Sequence, residues 1–200
     1  MDTYEKILSA GKHEFLDKGF NGASLRNIAA RADVTTGALY GYFTDKEELF
    51  YKSVGDAPLQ LREIFIKNQK EFTALPLEKK VSDAFSYSVE ALLKFLKFIY
   101  ENFDSFKLVI CKSAGTNYEN YIHSLVDIEI EYTLIFLNEI RGAKIMNVEI
   151  DETLLHILSS SYFHSVFETV EHDMPRDKAE SYIHSLSSFF TAGWKKIWDI

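Results

Sequence analysis

The sequence predicts an all-α fold, and three observations support this prediction. Apolar residues recur every three or four positions through most of the 200-residue chain, which places them on one face of a helix. No segment alternates apolar and polar residues for long enough to indicate a sheet. Five of the nine glycines lie within the first 41 residues, so we expect short helices at the start of the chain and long helices after them.

Three short helices with a shared apolar core are predicted first. Ser24 and Thr35 are good N-cap residues for the second and third helices. The segment Thr44-Asp45-Lys46-Glu47 has the pattern of a capping box that opens a fourth helix, and Gly55-Asp56-Ala57-Pro58 predicts either an end or a kink of that helix. The apolar faces of the first three helices are Tyr4, Leu8, Gly11 and Phe15; Leu25, Ile28, Ala29 and Ala32; and Leu39 and Phe43.

The rest of the chain predicts long helices, each with an apolar stripe of helical period. Their stripes run from Leu77 to Ile99, Tyr121 to Ile135, Leu154 to Val170 and Ala179 to Ile197. We therefore predict two domains, residues 1–50 and residues 51–200.

Composition and charge restrict the class of protein. The chain is 46% hydrophobic and 26% charged, which is typical of a globular protein, and its net charge of −8 counts at first against nucleic acid. However, residues 18–46 have a net charge of +2. The single cysteine, Cys111, excludes an internal disulfide. The sequence has neither a signal-peptide pattern nor an apolar stretch long enough for a membrane span, so we expect a cytoplasmic protein that does not enter a membrane.

The lengths of the second and third predicted helices point to DNA. A helix of about eight residues from Ser24, a three-residue break at Ala32-Asp33-Val34 and a short helix from Thr35 have the spacing of a helix-turn-helix. The second helix of such a motif enters the major groove. The residues themselves resemble the DNA-binding domain of TetR-family transcriptional regulators, over the segments Gly19-Phe20, Ala23 to Ala32, Val34 to Phe43 and Lys46 to Phe50.

This resemblance implies a set of DNA-contacting residues whose chemistry suits the task. Hydroxyls, an arginine and a lysine can bind phosphates or base edges, while Gly37 permits close approach and Ala38 can meet a thymine methyl. Core packing is the rival interpretation for Tyr40 and Tyr42, and it applies more to Tyr42, which is next to Phe43. The predicted contacts are Ser24, Arg26, Thr35, Thr36, Gly37, Ala38, Tyr40, Tyr42 and Lys46. Where the family usually has glycine in the turn, this chain has Asp33, which also tolerates a left-handed conformation.

The resemblance also implies functions for the long helices. The last two would form a four-helix bundle with a second copy, so the partners would be a palindromic double-stranded operator and an identical chain. The predicted interface residues are Ser161, Ser165, Tyr182, Leu186, Phe190 and Trp194. A pocket for an apolar or aromatic effector would lie between the DNA module and that helix pair, with no cofactor. The predicted pocket residues are Phe85, Phe103, Phe106, Tyr121, Tyr132 and Phe136. We expect a repressor rather than an activator, and this expectation rests on the resemblance alone.

Other classes of function remain open but less favoured. An enzyme could use Cys111 and His123, and a metal site could use His156, His164 and His172. Those three histidines are eight residues apart, about 12 Å along a helix axis, which is too far for one ion without other ligands. No motif surrounds either set. A helical adaptor that binds a protein through the N-terminal module is a third alternative.

Overall fold

The computed structural model describes residues 2–145 and 151–198, and within them it confirms the all-α prediction. These residues form ten helices and no strand. No helix within them has an apolar stretch of sufficient length to cross a bilayer. The helices are α1 (Thr3–Gly22), α2 (Leu25–Arg31), α3 (Thr36–Tyr40), α4 (Lys46–Val54), α5 (Ala57–Thr73), α6 (Leu77–Glu101), α7 (Phe103–Cys111), α8 (Tyr121–Gly142), α9 (Glu152–Glu171) and α10 (Arg176–Trp198).

The chain folds into two compact units. The N-terminal unit contains the described residues up to Gln60 together with Asn102–Tyr121, and the C-terminal unit contains Leu61–Glu101 and the described residues from Ile122 onwards. Helix α7 and the loop after it therefore belong to the first unit, although they follow part of the second unit in the sequence. The predicted domain ranges, residues 1–50 and 51–200, stay a prediction.

The predicted helix starts at Ser24 and Thr35 are confirmed by side-chain caps. The Ser24 hydroxyl accepts the Asn27 N–H at 3.5 Å, and the Thr35 hydroxyl accepts the Ala38 N–H at 3.1 Å. Each side chain thus satisfies one of the backbone donors that a helix start leaves without an intrahelical partner.

The predicted capping box at Thr44-Asp45-Lys46-Glu47 is wrong by one residue. The N-cap of α4 is Asp45, whose carboxylate accepts the Glu48 N–H at 2.8 Å. The Glu48 carboxylate in turn accepts the Thr44 N–H at 2.7 Å and the Thr44 hydroxyl at 2.8 Å. Since Asp is as good a cap as Thr and is also followed three residues later by Glu, the two registers look alike in sequence.

Helices α5 and α7 were not among the helices predicted from the sequence. Gly55, at φ 71°, ends α4 as expected, but the chain then re-enters a helix at Ala57. Helix α7 has only nine residues and no side-chain cap at Asn102. It packs against α1 and α4 and buries Phe106, Leu108 and Val109, so tertiary burial rather than a local start signal supports this helix.

The core of the N-terminal unit holds α2 and α3 in place. Phe15 of α1 packs edge-on against Phe50 of α4, with ring centroids 5.1 Å apart. Gly19, at φ 70°, breaks α1 and turns the chain so that the Phe20 N–H donates to the Lys112 carbonyl at 2.8 Å. Side chains that are 0–1% exposed make up the centre of this core: Ile7, Phe15, Ile28, Leu39, Phe43, Leu49 and Phe50.

The C-terminal unit is built on the long helices and contains a buried cation near one end. The Lys80 side chain is 3% exposed, and its ammonium donates to the Glu139 carboxylate and, at 3.0 Å, to the Thr73 carbonyl. This group ties α6 to α5 and α8. Buried apolar side chains supply the rest of the core, among them Leu96, Ile99, Leu125, Val126, Ile140, Val166, Phe167 and Ile183.

Candidate nucleic-acid interface

The turn between α2 and α3 has the tight form that a helix-turn-helix requires. Asp33 adopts φ 56°, which confirms the left-handed conformation predicted for it. The Val34 N–H then donates to the Ala29 carbonyl at 3.0 Å, and the Asp33 N–H donates to Ala30 at 3.2 Å. Asp33 therefore takes the place of the glycine that the resembling family usually has in this turn, and this does not lengthen the turn.

A buried carboxylate on α1 fixes the start of α2, and sequence reasoning did not identify it. Glu14 is 5% exposed, and its carboxylate accepts the Ser24 N–H at 3.3 Å and the Asn27 side-chain amide at 3.2 Å. Two donors at the beginning of α2 are thus tied to the first helix. The position of Arg26, between them, depends on this contact.

The predicted DNA-contacting residues of α3 and its flanks share one property, which is exposure. Thr35, Thr36, Gly37 and Ala38 are exposed together, and no packing requirement explains their small size. The side chains of Tyr40 and Tyr42 are 53% and 48% exposed. These tyrosines are therefore outside the core, which disfavours the packing interpretation of Tyr42, although its ring lies 6.4 Å from that of Tyr4. Their contact with DNA stays a prediction.

Gly37 is not required by the fold of the free chain. Apart from its chain neighbours and the backbone of its own helix, a Cβ added there would come no nearer than 3.9 Å to a heavy atom, the hydroxyl oxygen of Thr35. The residue lies inside α3, where alanine stabilises a helix by about 1 kcal/mol relative to glycine. A glycine that costs stability and fills no tight space is consistent with a surface that a ligand approaches closely.

Only some of the Lys and Arg side chains of the helix-turn-helix are available to bind DNA. Arg26 and Arg31 are exposed and form no ion pair with a described residue. The Lys46 ammonium folds back onto the carbonyls of Asn21 and Ala23, at 3.5 and 3.4 Å, and Lys18 pairs with a neighbouring aspartate at 3.0 Å. The surface therefore has few free cations, and most of its polar groups are hydroxyls and backbone amides.

A second candidate site is a cavity of about 180 Å³ inside the C-terminal unit. Of the six predicted pocket residues, Phe85, Tyr132 and Phe136 line it. Phe103, Phe106 and Tyr121 instead belong to the N-terminal unit, where Phe106 is fully buried and the Tyr121 hydroxyl donates to the Pro58 carbonyl at 2.8 Å. The other aromatic residues of the lining were not predicted: Phe65, Phe72, Tyr87, Phe95, Tyr162, Phe163, Phe190, Trp194 and Trp198.

One carboxylate faces these aromatic rings. Glu129 of α8 lines the cavity, and it is the one charged group among the described lining residues. It accepts hydrogen bonds from the Gln69 side-chain amide at 2.6 Å and from the Thr133 hydroxyl at 3.4 Å. Burial raises the pKa of Glu129, and these two hydrogen bonds oppose the rise.

The residues predicted for a dimer interface divide between the surface and the interior of α9 and α10. Ser161 is exposed, and the Tyr182 hydroxyl donates to the Ser165 carbonyl at 3.1 Å within the chain. Leu186 is half-buried, whereas Phe190 and Trp194 line the cavity. Large apolar side chains on the outer faces of these two helices remain exposed: Leu154 at 39%, Ile157 at 54%, Phe189 at 73% and Ile197 at 40%. The dimer stays a prediction.

The histidines and the cysteine form no composite site within the described residues. No group of three or more His, Cys, Asp or Glu side chains comes close enough there to hold a metal ion. His123 and His156 do approach, with ring centroids 5.4 Å apart, and His123 lies 3.7 Å from Asp127. His164 is exposed and bonds to its own helix at Ser160, and Cys111 is exposed in the N-terminal unit.

Comparisons with known proteins match the helix-turn-helix in sequence and the whole chain in fold. Residues 7–51 match the family model described as bacterial regulatory proteins, tetR family. The HTH-type transcriptional repressor BepR of Brucella suis is 39% identical over 66 residues, which cover 33% of this chain and 32% of that protein. An HTH-type transcriptional regulator of Haemophilus influenzae is 30% identical over 101 residues, 50% of this chain and 45% of the relative.

Among solved structures, a transcriptional regulator from Aquifex aeolicus has the same fold. It superposes with a TM-score of 0.59 at 18% identity and covers 96% of this chain and 99% of its own. The chain spans less than half the length of each of these two curated relatives. The match to the family model therefore concerns the N-terminal part, while the likeness in structure extends over the long helices.

Proposed function

We propose that this chain, which belongs to the tetR family of bacterial regulatory proteins, is a homodimeric repressor that a small apolar or aromatic effector releases from its operator. The observation that supports this most directly is the exposed surface of α2 and α3, where hydroxyls, Arg26 and the unconstrained Gly37 lie together. The relatives are named as regulators, and we propose regulation, not catalysis, here as well.

DNA binding uses α3 as the recognition helix. The exposed backbone at Gly37 lets the start of α3 approach the major groove closely, and Ala38 meets a thymine methyl. Thr35, Thr36 and the two exposed tyrosines donate hydroxyl protons to phosphates. Arg26, at the first turn of α2, contacts a guanine edge or a phosphate. Because the Lys46 ammonium already bonds to Asn21 and Ala23, it contributes to DNA binding only after leaving these carbonyls.

A single recognition helix reads only about one half-site, so specificity requires a second copy and a palindromic operator. The exposed apolar residues of α9 and α10 support this pairing, since Ile157 and Phe189 are more than half exposed in one chain. Such side chains are buried when two helix pairs form a bundle. The place of action is the cytoplasm, where operator DNA is found.

The effector binds in the cavity of the C-terminal unit. Repression, rather than activation, is supported by the name of one relative, the repressor BepR. A ligand weakens operator binding only if it prefers a conformation that does not fit the operator. By thermodynamic reciprocity, operator DNA then weakens effector binding by the same factor.

The test begins with selection of bound fragments from a genomic DNA library with the full-length protein. Fluorescence anisotropy on a selected fragment then compares Arg26→Ala and Tyr40→Phe with Arg62→Ala, which removes an exposed arginine from the part of α5 that belongs to the C-terminal unit. We expect Arg26→Ala to weaken binding by about tenfold to a hundredfold, Tyr40→Phe to weaken it less, and Arg62→Ala to have no effect.

Two results contradict the proposal. If the Arg26→Ala and Arg62→Ala variants bind the fragment with equal affinity, α2 does not contact the DNA. Failure to enrich any fragment, together with capture of a protein by the same surface, favours the helical adaptor. A monomer in sedimentation equilibrium at micromolar concentration contradicts the dimer separately.

A further inference from the structure

The cavity of the C-terminal unit combines an aromatic wall with one acidic group. Its lining includes Phe72, Phe136, Tyr162 and Trp194, together with the carboxylate of Glu129. Among the lining residues that the structure describes there is no Lys, Arg or His. The one acidic group of the described lining is therefore a single side chain, and no basic group of that lining balances it.

The two hydrogen bonds to Glu129 do not neutralise its charge. Both donors, the amide of Gln69 and the hydroxyl of Thr133, are neutral groups. A carboxylate in an apolar site is costly unless a cation pairs with it. The rise in the pKa of Glu129 through burial agrees with this cost. The cavity thus holds an acidic group for which the described residues provide no cationic partner.

We propose that the cavity selects an amphipathic cation, an apolar or aromatic amine whose protonated nitrogen pairs with Glu129 while its apolar part packs against the aromatic wall. This inference rests on the proposed function in one respect, because it takes the cavity as the effector site. It narrows the effector from any apolar or aromatic molecule to one that bears a positive charge.

Three features of the site support a cation over other ligands. A charge-assisted hydrogen bond to a carboxylate is stronger than a neutral one, so Glu129 favours an ammonium over a hydroxyl. The faces of neighbouring aromatic rings attract cations. Burial raises the pKa of the Tyr162 phenol and the Glu129 carboxylate raises it further, so this ring lies near the carboxylate. An acidic ligand such as a fatty acid would place a second carboxylate beside Glu129, which electrostatic repulsion disfavours.

The size of the cavity limits the probes that can test this. A dry cavity of about 150 Å³ holds a benzene molecule, and the cavity here measures about 180 Å³. Three phenylbutyl compounds of nearly equal shape are suitable: phenylbutylamine, which is a cation, phenylbutanol, which is neutral, and phenylbutanoate, which is an anion. Because they differ mainly in charge, their order of affinity reports on Glu129.

The experiment measures the binding of each probe to the full-length protein, without DNA, by calorimetry and by the fluorescence of Trp194 and Trp198, which line the cavity. We expect the amine to bind at least about tenfold more tightly than the alcohol, and the carboxylate to bind most weakly. Glu129→Gln, which keeps the shape of the side chain, should remove most of the difference in affinity between the amine and the alcohol. The matched control is Glu131→Gln, an exposed carboxylate on the same helix.

The order of the three probes on the unmodified protein tests the proposal even if Glu129→Gln misfolds. Binding of the carboxylate as tightly as the amine overturns it, as does the absence of binding by all three probes. An amine advantage that survives in folded Glu129→Gln overturns it too. If the amine binds through Glu129 but does not change affinity for the operator fragment, the cavity proposal stands and the release mechanism fails.

Discussion

The two units of this chain differ in where their candidate sites lie. In the N-terminal unit the candidate site is a surface, where small and hydroxyl side chains are exposed because nothing in the core needs them. In the C-terminal unit it is an interior, where side chains from several helices enclose a cavity with one carboxylate. A surface site depends on residues close together in the sequence, while an interior site depends on packing between distant helices.

The largest effect that would test this contrast comes from Glu14, an interior residue that supports the surface site. Glu14→Ala leaves the donors at Ser24 and Asn27 without their acceptor, so we expect a loss of about 1 to 3 kcal/mol in the free energy of unfolding and weaker operator binding. Glu14→Gln keeps an acceptor oxygen and should lose much less. Chemical denaturation measures the first effect, and equal stability of the two variants would show that the contact does not matter.

At Gly37 we expect a smaller effect, in which the stability of the free protein rises while its affinity for DNA falls. Alanine fits the space and favours the helix, so Gly37→Ala should stabilise the free protein by about 0.5 to 1 kcal/mol while weakening binding to a selected operator fragment. Thermal unfolding and fluorescence anisotropy measure the two quantities. Unchanged DNA affinity in a stabilised variant would place Gly37 outside the interface.

For the interior site, we expect Glu129→Gln to raise the midpoint temperature of thermal unfolding by a few degrees at neutral pH. Burial raises the pKa of Glu129 in the folded state, so the folded protein binds this proton more tightly than the unfolded chain does. The contribution of this residue is therefore most favourable below its unfolded pKa, about 4.3, and is lost as the pH rises through its folded pKa. The advantage of the glutamine variant should grow over that range, and a constant difference from acidic to neutral pH would contradict a carboxylate whose pKa is raised in the folded state.

The smallest expected effect is that of salt on operator binding. With Lys18 and Lys46 already engaged within the chain, few ionic phosphate contacts are available to each protomer. Log affinity should then fall with log salt concentration by much less than the slope expected for about ten released counterions. Titration of one operator fragment across a range of salt concentrations gives this slope directly, and a value near ten would mean that basic groups other than these bind DNA.

Much of the N-terminal unit could be predicted because its signals are local. The caps at Ser24 and Thr35 and the left-handed Asp33 follow from residue types at fixed spacing. The start of α4 was predicted one residue early, since Thr44 and Asp45 are both followed by Glu three residues later. Glu14 did leave a signal, because it lies seven residues after Ile7 on the buried face of α1.

The C-terminal site was harder to predict because helical periodicity does not separate a core from a cavity. Phe85 and Phe106 were both predicted to line a pocket, yet Phe85 lines the cavity and Phe106 is fully buried in the other unit. Similarly, Phe190 and Trp194 lie on a helix face predicted for a dimer and also line the cavity. Which residues surround an interior space depends on how the helices pack, and a single sequence contains no direct record of that packing.

Helix α7 belongs to the N-terminal unit although it follows α6 in the sequence, and this limits how the DNA-binding helices can be transferred to another protein. Phe106, Leu108 and Val109 are buried in a unit whose other helices lie in the first 60 residues. A chimera that grafts residues 1–50 onto a foreign body would separate these side chains from their partners and leave an apolar gap on the graft. Retargeting the protein to a new DNA sequence is therefore better done by exchanging the exposed side chains of α2 and α3 within the intact chain.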